Sequence, residues 1–119
     1  MIDTVILILI LLLLKHFICD FVLQFPYMLE EKGTYGAAGG IHHAAFHALG
    51  TALSLMLLGV MDAIFLALID FILHYHIDWV KVKLSKGLTS SDRKFWFWFG
   101  IDQLLHQLSY LFIIIWIIA

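Results

Sequence analysis

Four long apolar runs, each interrupted by a pair of imidazole or carboxylate side chains four residues apart, limit what this chain can fold into. The pairs are His16 and Asp20, His43 and His47, His74 and Asp78, and Asp102 and His106. Spacing i, i+4 puts both members of a pair on one face of an α-helix. The runs themselves are too apolar for water: 63% of the 119 residues are hydrophobic and 13% are charged. A soluble domain of this size keeps too much surface to hide that share of apolar side chains. The expected solvent is a bilayer.

A membrane helix needs about 20 mainly apolar residues, and the windows 3–25, 40–59, 61–82 and 95–119 qualify. The chain therefore reads as one integral-membrane domain, 1–119, an all-α bundle of four transmembrane helices. "MIDTV" lacks the basic start of a secretory signal, so the first run is expected to stay as a span. Pro26 ends that span, the glycine-rich "YMLEEKGTYGAAGG" reads as a loop, and Asp62 is placed to cap the third span. "FWFWF" reads as an interfacial aromatic belt. Lys32 lies in the first connection, while Lys81, Lys83, Lys86, Arg93 and Lys94 lie in or beside the third. By the positive-inside rule these connections face the cytoplasm and both termini face the other side, in a bacterial inner (cytoplasmic) membrane.

The pairs sit near the C-terminal ends of spans one and three and the N-terminal ends of spans two and four. Successive spans run in opposite directions, so all four pairs fall in the cytoplasmic half, roughly 5–15 Å below its surface at about 1.5 Å per residue. The other half, "VILILILLLL" and "YLFIIIWIIA", is almost unbroken hydrocarbon.

Ionisable groups at that depth are costly unless paired, hydrated or bound to a cation. A single intramembrane His serves more often as a helix–helix hydrogen-bond partner than as a ligand. Four pairs at matched depth point instead to a divalent metal, with His16, Asp20, His43, His47, His74, Asp78, Asp102 and His106 as its expected ligands. Zinc is the first expectation, with iron or manganese as alternatives. Eight groups suit two ions, or one ion whose ligands are themselves held by carboxylates. One lone Cys excludes an internal disulfide and a Cys-rich zinc site, and Cys19 points off the His16–Asp20 face. Gln24 and Gln103 are expected to orient neighbours, Asp70 to be a ligand, a support for the ligands or a proton relay, and Lys81 to anchor the helix or meet a substrate phosphate. Lys15 is expected to snorkel to the cytoplasmic surface. Tyr75 and Tyr110 are expected to pack, and His42 and His76 to be ordinary interfacial residues.

"HFICDFVLQ", "HAAFH", "HIDWVK" and "DQLLH", in this order, resemble an uncharacterised family of small bacterial and phage membrane proteins, catalogued as a domain of unknown function. The resemblance covers nearly the whole chain. It implies a membrane bundle with a polar site at His16, Asp20, Gln24, His43, His47, His74, Asp78, Lys81, Asp102, Gln103 and His106, and implies no activity.

The expected function is that of a metal-dependent intramembrane hydrolase acting on an amphipathic, lipid-like substrate from the cytoplasmic leaflet. Asp78 or Asp102 would then serve as general base. The alternatives are a divalent-metal or proton transporter or channel, a di-iron or haem redox protein, and a structural membrane protein. The partners expected are the bilayer, a lipid-like substrate and further copies of the chain, with no nucleic acid.

Overall fold

In the computed structural model, which describes residues 1–119, the first apolar run forms helix α1 (Ile2–Phe17) and then widens into a π-helical turn at Ile18–Val22. The Leu23 N–H donates to the Ile18 carbonyl five residues back, at 2.8 Å. Such turns are rare and cluster at functional sites; this one carries Asp20.

Part of the segment expected to be loop is helical. Pro26–Glu31 forms α2, with Pro26 in its first turn, where a missing N–H costs nothing, and Phe25 extended before it. The Glu31 carboxylate then accepts the Gly39 N–H (2.6 Å) at the start of α3 (Ala38–Leu57), where free N–H groups favour an anion. This approach requires glycine: a Cβ on Gly39 would stand 2.6 Å from the Tyr27 carbonyl oxygen and 2.8 Å from Glu31 Cβ.

Helix α3 stops in a Schellman arrangement. Gly59 takes φ +70°, and the N–H groups of Val60 and Gly59 return to the carbonyls of Leu55 and Met56, both at 3.0 Å. Helix α4 (Ala63–Leu84) follows at once. Asp62 stands at its N-cap position but makes no cap bond with its side chain. Its carboxylate instead accepts the Trp116 indole N–H at 3.0 Å, tying this turn to the end of α5 (Arg93–Ile118).

Helix α1 packs against α3 and α5, α4 packs against the same two, and the backbones of α1 and α4, like those of α3 and α5, stay apart across the centre. The four long helices thus follow one another around a ring, with α2 laid against α3. In the half that holds the chain ends, Ile8, Leu12, Leu55, Leu66, Ile113 and Ile114 close the centre of the ring with apolar side chains. Most of the outer surface is also apolar, with Leu57, Phe65, Leu68, Phe97 and Ile115 all exposed.

Three stretches, Ile2–Val22, Ala63–Leu84 and Arg93–Ile118, are long and apolar enough to cross a membrane. Helix α3 has the length but falls short in composition, because glycines, three histidines, Thr51 and Ser54 interrupt it. The largest dimension, 45 Å, matches a bilayer of about 40–45 Å with its headgroups.

Candidate metal centre

All eight paired side chains meet inside the ring, each with its residue no more than half-exposed and most of them fully buried. Asp20 enters from the π turn, His43 and His47 from α3, His74 and Asp78 from α4, and Asp102 and His106 from α5. Asp20 Oδ1 lies 2.8 Å from His47 Nε2, 3.1 Å from His43 Nε2 and 3.9 Å from His74 Nε2. His43 and His74 bring their Nε2 atoms to 3.2 Å of each other.

These separations can be compared with the needs of a cation. Around a tetrahedral ion with bonds of about 2.1 Å, neighbouring donors stand about 3.4 Å apart. The four donor atoms of Asp20, His43, His47 and His74 all lie within 4.8 Å of one another and bracket that spacing, so the group can hold a metal ion. A second such group, His74, Asp78 and His106, shares His74 with the first. Asp78 joins the two: its Oδ2 is 3.3 Å from His43 Nε2 and 3.4 Å from His74 Nε2, and its Oδ1 is 3.1 Å from His106 Nε2. His47, His74 and His106 stack, with centroids 3.6 and 4.0 Å apart along the series. The Nδ1 atoms of His43, His74 and His106 have no hydrogen-bond partner, so these rings are held by what their Nε2 atoms meet.

His16 and Asp102 belong to the cluster but stand outside both donor groups. The Gln103 amide donates to Asp102 (3.1 Å) and Asp20 (3.5 Å), which fixes its oxygen toward His16. His16 Nε2–H therefore donates to Gln103 Oε1 (2.9 Å), and His16 Nδ1 accepts the Tyr110 hydroxyl (2.7 Å). With both nitrogens engaged, His16 positions Asp20, whose Oδ2 is 3.2 Å away. Asp102 Oδ1 lies 3.4 Å from His106 Nε2, so His106 stands between two carboxylates.

Lys15 is buried, 7% exposed, and does not snorkel. Its ammonium pairs with Asp70 (2.7 Å), whose same oxygen accepts the Thr51 hydroxyl (2.6 Å), and reaches His47 Nδ1 (3.2 Å) and the His47 carbonyl (3.3 Å). An ammonium is only a donor, so His47 accepts at Nδ1 and carries its proton on Nε2, toward Asp20. Ligation through His47 Nε2 requires that proton to leave, which couples metal uptake to proton release. Asp70 thus supports the cluster through Lys15 and is not a ligand in this geometry.

On the opposite side, Lys32 reaches in from the end of α2 to Asp78 Oδ2 (3.4 Å) and Gln24 Oε1 (2.9 Å), while the Gln24 amide donates to the Asp20 carbonyl (2.7 Å). Lys81 lies away from the cluster, its ammonium 5.7 Å from the centre of the Phe99 ring. His42 and His76 also lie outside, facing the hydroxyls of Tyr27 (3.1 Å) and Tyr35 (3.0 Å). Tyr75 is buried and accepts the Gly36 N–H (2.7 Å).

The sequence reading missed Lys15, Lys32, Thr51 and Tyr110 as members of this network. A signal existed for the first: a lone Lys and a lone Asp, each deep in its own apolar run, are expected to pair. Nothing in the sequence points Lys32 or Tyr110 inward.

A family model described as a protein of unknown function, DUF3307, matches residues 8–119. The chain belongs to that family. The match takes in all eight members of the DUF3307 cluster described above. No curated protein and no solved structure matches the chain.

Proposed function

We propose that the chain is a multi-pass protein of a bacterial inner (cytoplasmic) membrane in which α1, α3, α4 and α5 form a four-helix transmembrane bundle. On this reading both termini lie outside and the lysine-bearing connections 23–37 and 85–92 lie in the cytoplasm. Its buried cluster holds a divalent metal, zinc first and iron or manganese next, and serves to hydrolyse an amphipathic, lipid-like substrate from the cytoplasmic leaflet.

The observation that carries this reading is the convergence of Asp20 Oδ1 with the Nε2 atoms of His43, His47 and His74 at near-tetrahedral spacings.

A cation held by three of these four side chains would supply an activated water, its pKa lowered toward about 7. Asp78, in reach of His43, His74 and His106, is placed to take the proton of that water, and His106 to hand a proton on toward Asp102. In the hydrolysis the water oxygen bonds to the carbonyl carbon or phosphorus of an ester. The ester C–O or P–O bond breaks, and the departing alkoxide takes up the proton.

Two alternatives fare worse. A conduction path needs polar groups through the other half of the ring, where Ile8, Leu12, Leu55 and Leu66 fill the centre. A haem between facing histidines needs room, and the His43 and His74 nitrogens stand 3.2 Å apart.

The test is turnover of acyl-ester and phosphodiester lipids in vesicles by zinc-, iron- or manganese-loaded protein. Hydrolysis of one class, lost in His43→Ala/His47→Ala and reduced at least a hundredfold in Asp78→Asn, supports the reading. Metal-loaded protein inert toward both classes contradicts it.

A further inference from the structure

Between the second half of α4 and the first half of α5 runs a groove of about 240 Å³, walled by Ile77, Val80, Trp98 and Leu105 and carrying two charged side chains, Lys81 and Asp102. We infer that this groove seats one acyl chain of an anionic glycerophospholipid, with the lipid phosphate at Lys81 and its ester beside Asp102. The inference rests on the hydrolytic reading and names its substrate class.

The groove's volume falls below the roughly 300–1,000 Å³ of a site for a whole drug-sized ligand, so it suits part of one chain. Its walls are apolar, as a hydrocarbon requires. Lys81 makes no ion pair and no side-chain hydrogen bond, and its ammonium lies 5.7 Å from the centre of the Phe99 ring. It is a free cation one turn before the end of α4, on the side of the groove toward Lys83, Lys86, Arg93 and Lys94, where an anionic headgroup would lie. Asp102, one of the lining residues, is 6% exposed, and its Oδ1 has no hydrogen-bond partner. That atom is 3.4 Å from His106 Nε2, and His106 is 3.1 Å from Asp78. The groove is therefore joined to the metal cluster through one imidazole. A second groove, between α1 and α3, touches the network at Lys15, whose ammonium is already taken by Asp70.

The experiment uses full-length protein in vesicles containing phosphatidylglycerol with a photoactivatable diazirine on one acyl chain, or a diacylglycerol with the same chain and no phosphate. Labelled peptides are mapped and metal content is measured on the same samples. Expected is labelling concentrated in residues 77–84 and 98–105. Leu105→Trp, which fills the groove, should reduce it at least tenfold with metal content unchanged. Leu108→Trp, on the lipid-exposed surface outside the groove, should leave it intact. Lys81→Ala should reduce labelling by phosphatidylglycerol about fivefold and by diacylglycerol hardly at all. Labelling spread evenly over all lipid-facing helices, or insensitive to Leu105→Trp while metal is retained, overturns the inference. Intact, Leu105-sensitive labelling in protein that binds no metal would keep the groove and sink the hydrolytic reading.

Discussion

The Nε2 atoms of His43 and His74, on adjacent helices, stand 3.2 Å apart, and both are within reach of Asp78 Oδ2, at 3.3 and 3.4 Å. Neither ring has a partner for its Nδ1, so nothing beyond the cluster holds these imidazoles in this arrangement. A cation accepting both Nε2 lone pairs would stabilise the folded chain, because it binds the assembled site and not the separated helices.

That linkage predicts a metal-dependent melting temperature. At a free metal concentration a hundredfold above Kd, the stabilisation amounts to about 2.7 kcal/mol. Thermal unfolding of detergent-solubilised protein should move upward on adding zinc and downward with a chelator. In His43→Ala the two curves should coincide. A shift of equal size in that variant would show that the metal acts elsewhere.

Lys15 and Asp70 predict a strong coupling. Both side chains are buried, 7% and 1% exposed, and removing one partner leaves the other charged without compensation. Lys15→Met or Asp70→Asn should each cost about 3–5 kcal/mol, whereas the double variant should cost far less than the sum. Denaturant unfolding in mixed micelles reads the cycle, and additive single effects would argue against the pair.

Tyr110 predicts a smaller but informative loss. Its hydroxyl, fully buried, donates to His16 Nδ1 at 2.7 Å. Tyr110→Phe keeps the packing and leaves an imidazole nitrogen unsatisfied, which costs about 1–3 kcal/mol. Because His16 positions Asp20, metal affinity should fall about tenfold alongside, in line with other groups that orient ligands. Isothermal titration with zinc reads this, and unchanged affinity would make Tyr110 a packing residue only.

The elements most legible in the sequence are the ones with local signals. Spacing i, i+4 put His43 with His47 and His74 with Asp78 on single faces, and the apolar runs marked the helices within a few residues. What stayed hidden depends on contacts made at a distance. The π turn at Ile18–Val22 has no residue pattern that marks it, yet it carries Asp20 to the histidines of α3. Helix α2 is too short for periodicity to reveal; Pro26 suits its first turn, and its packing on Gly39 holds it in place. Lys15 was expected at the surface because its partner, Asp70, is 55 residues away. The difference between His16 as a ligand and as a positioning group turns on Gln103 and Tyr110, both on another helix.

The most direct test of the metal centre is elemental analysis of detergent-purified protein beside His43→Ala/His47→Ala. The four converging donors of Asp20, His43, His47 and His74 predict close to one equivalent of zinc, iron or manganese per chain, absent from the double variant. No metal in either sample, even after reconstitution with each of these ions, would contradict the account and leave the cluster a hydrogen-bonded seam between helices.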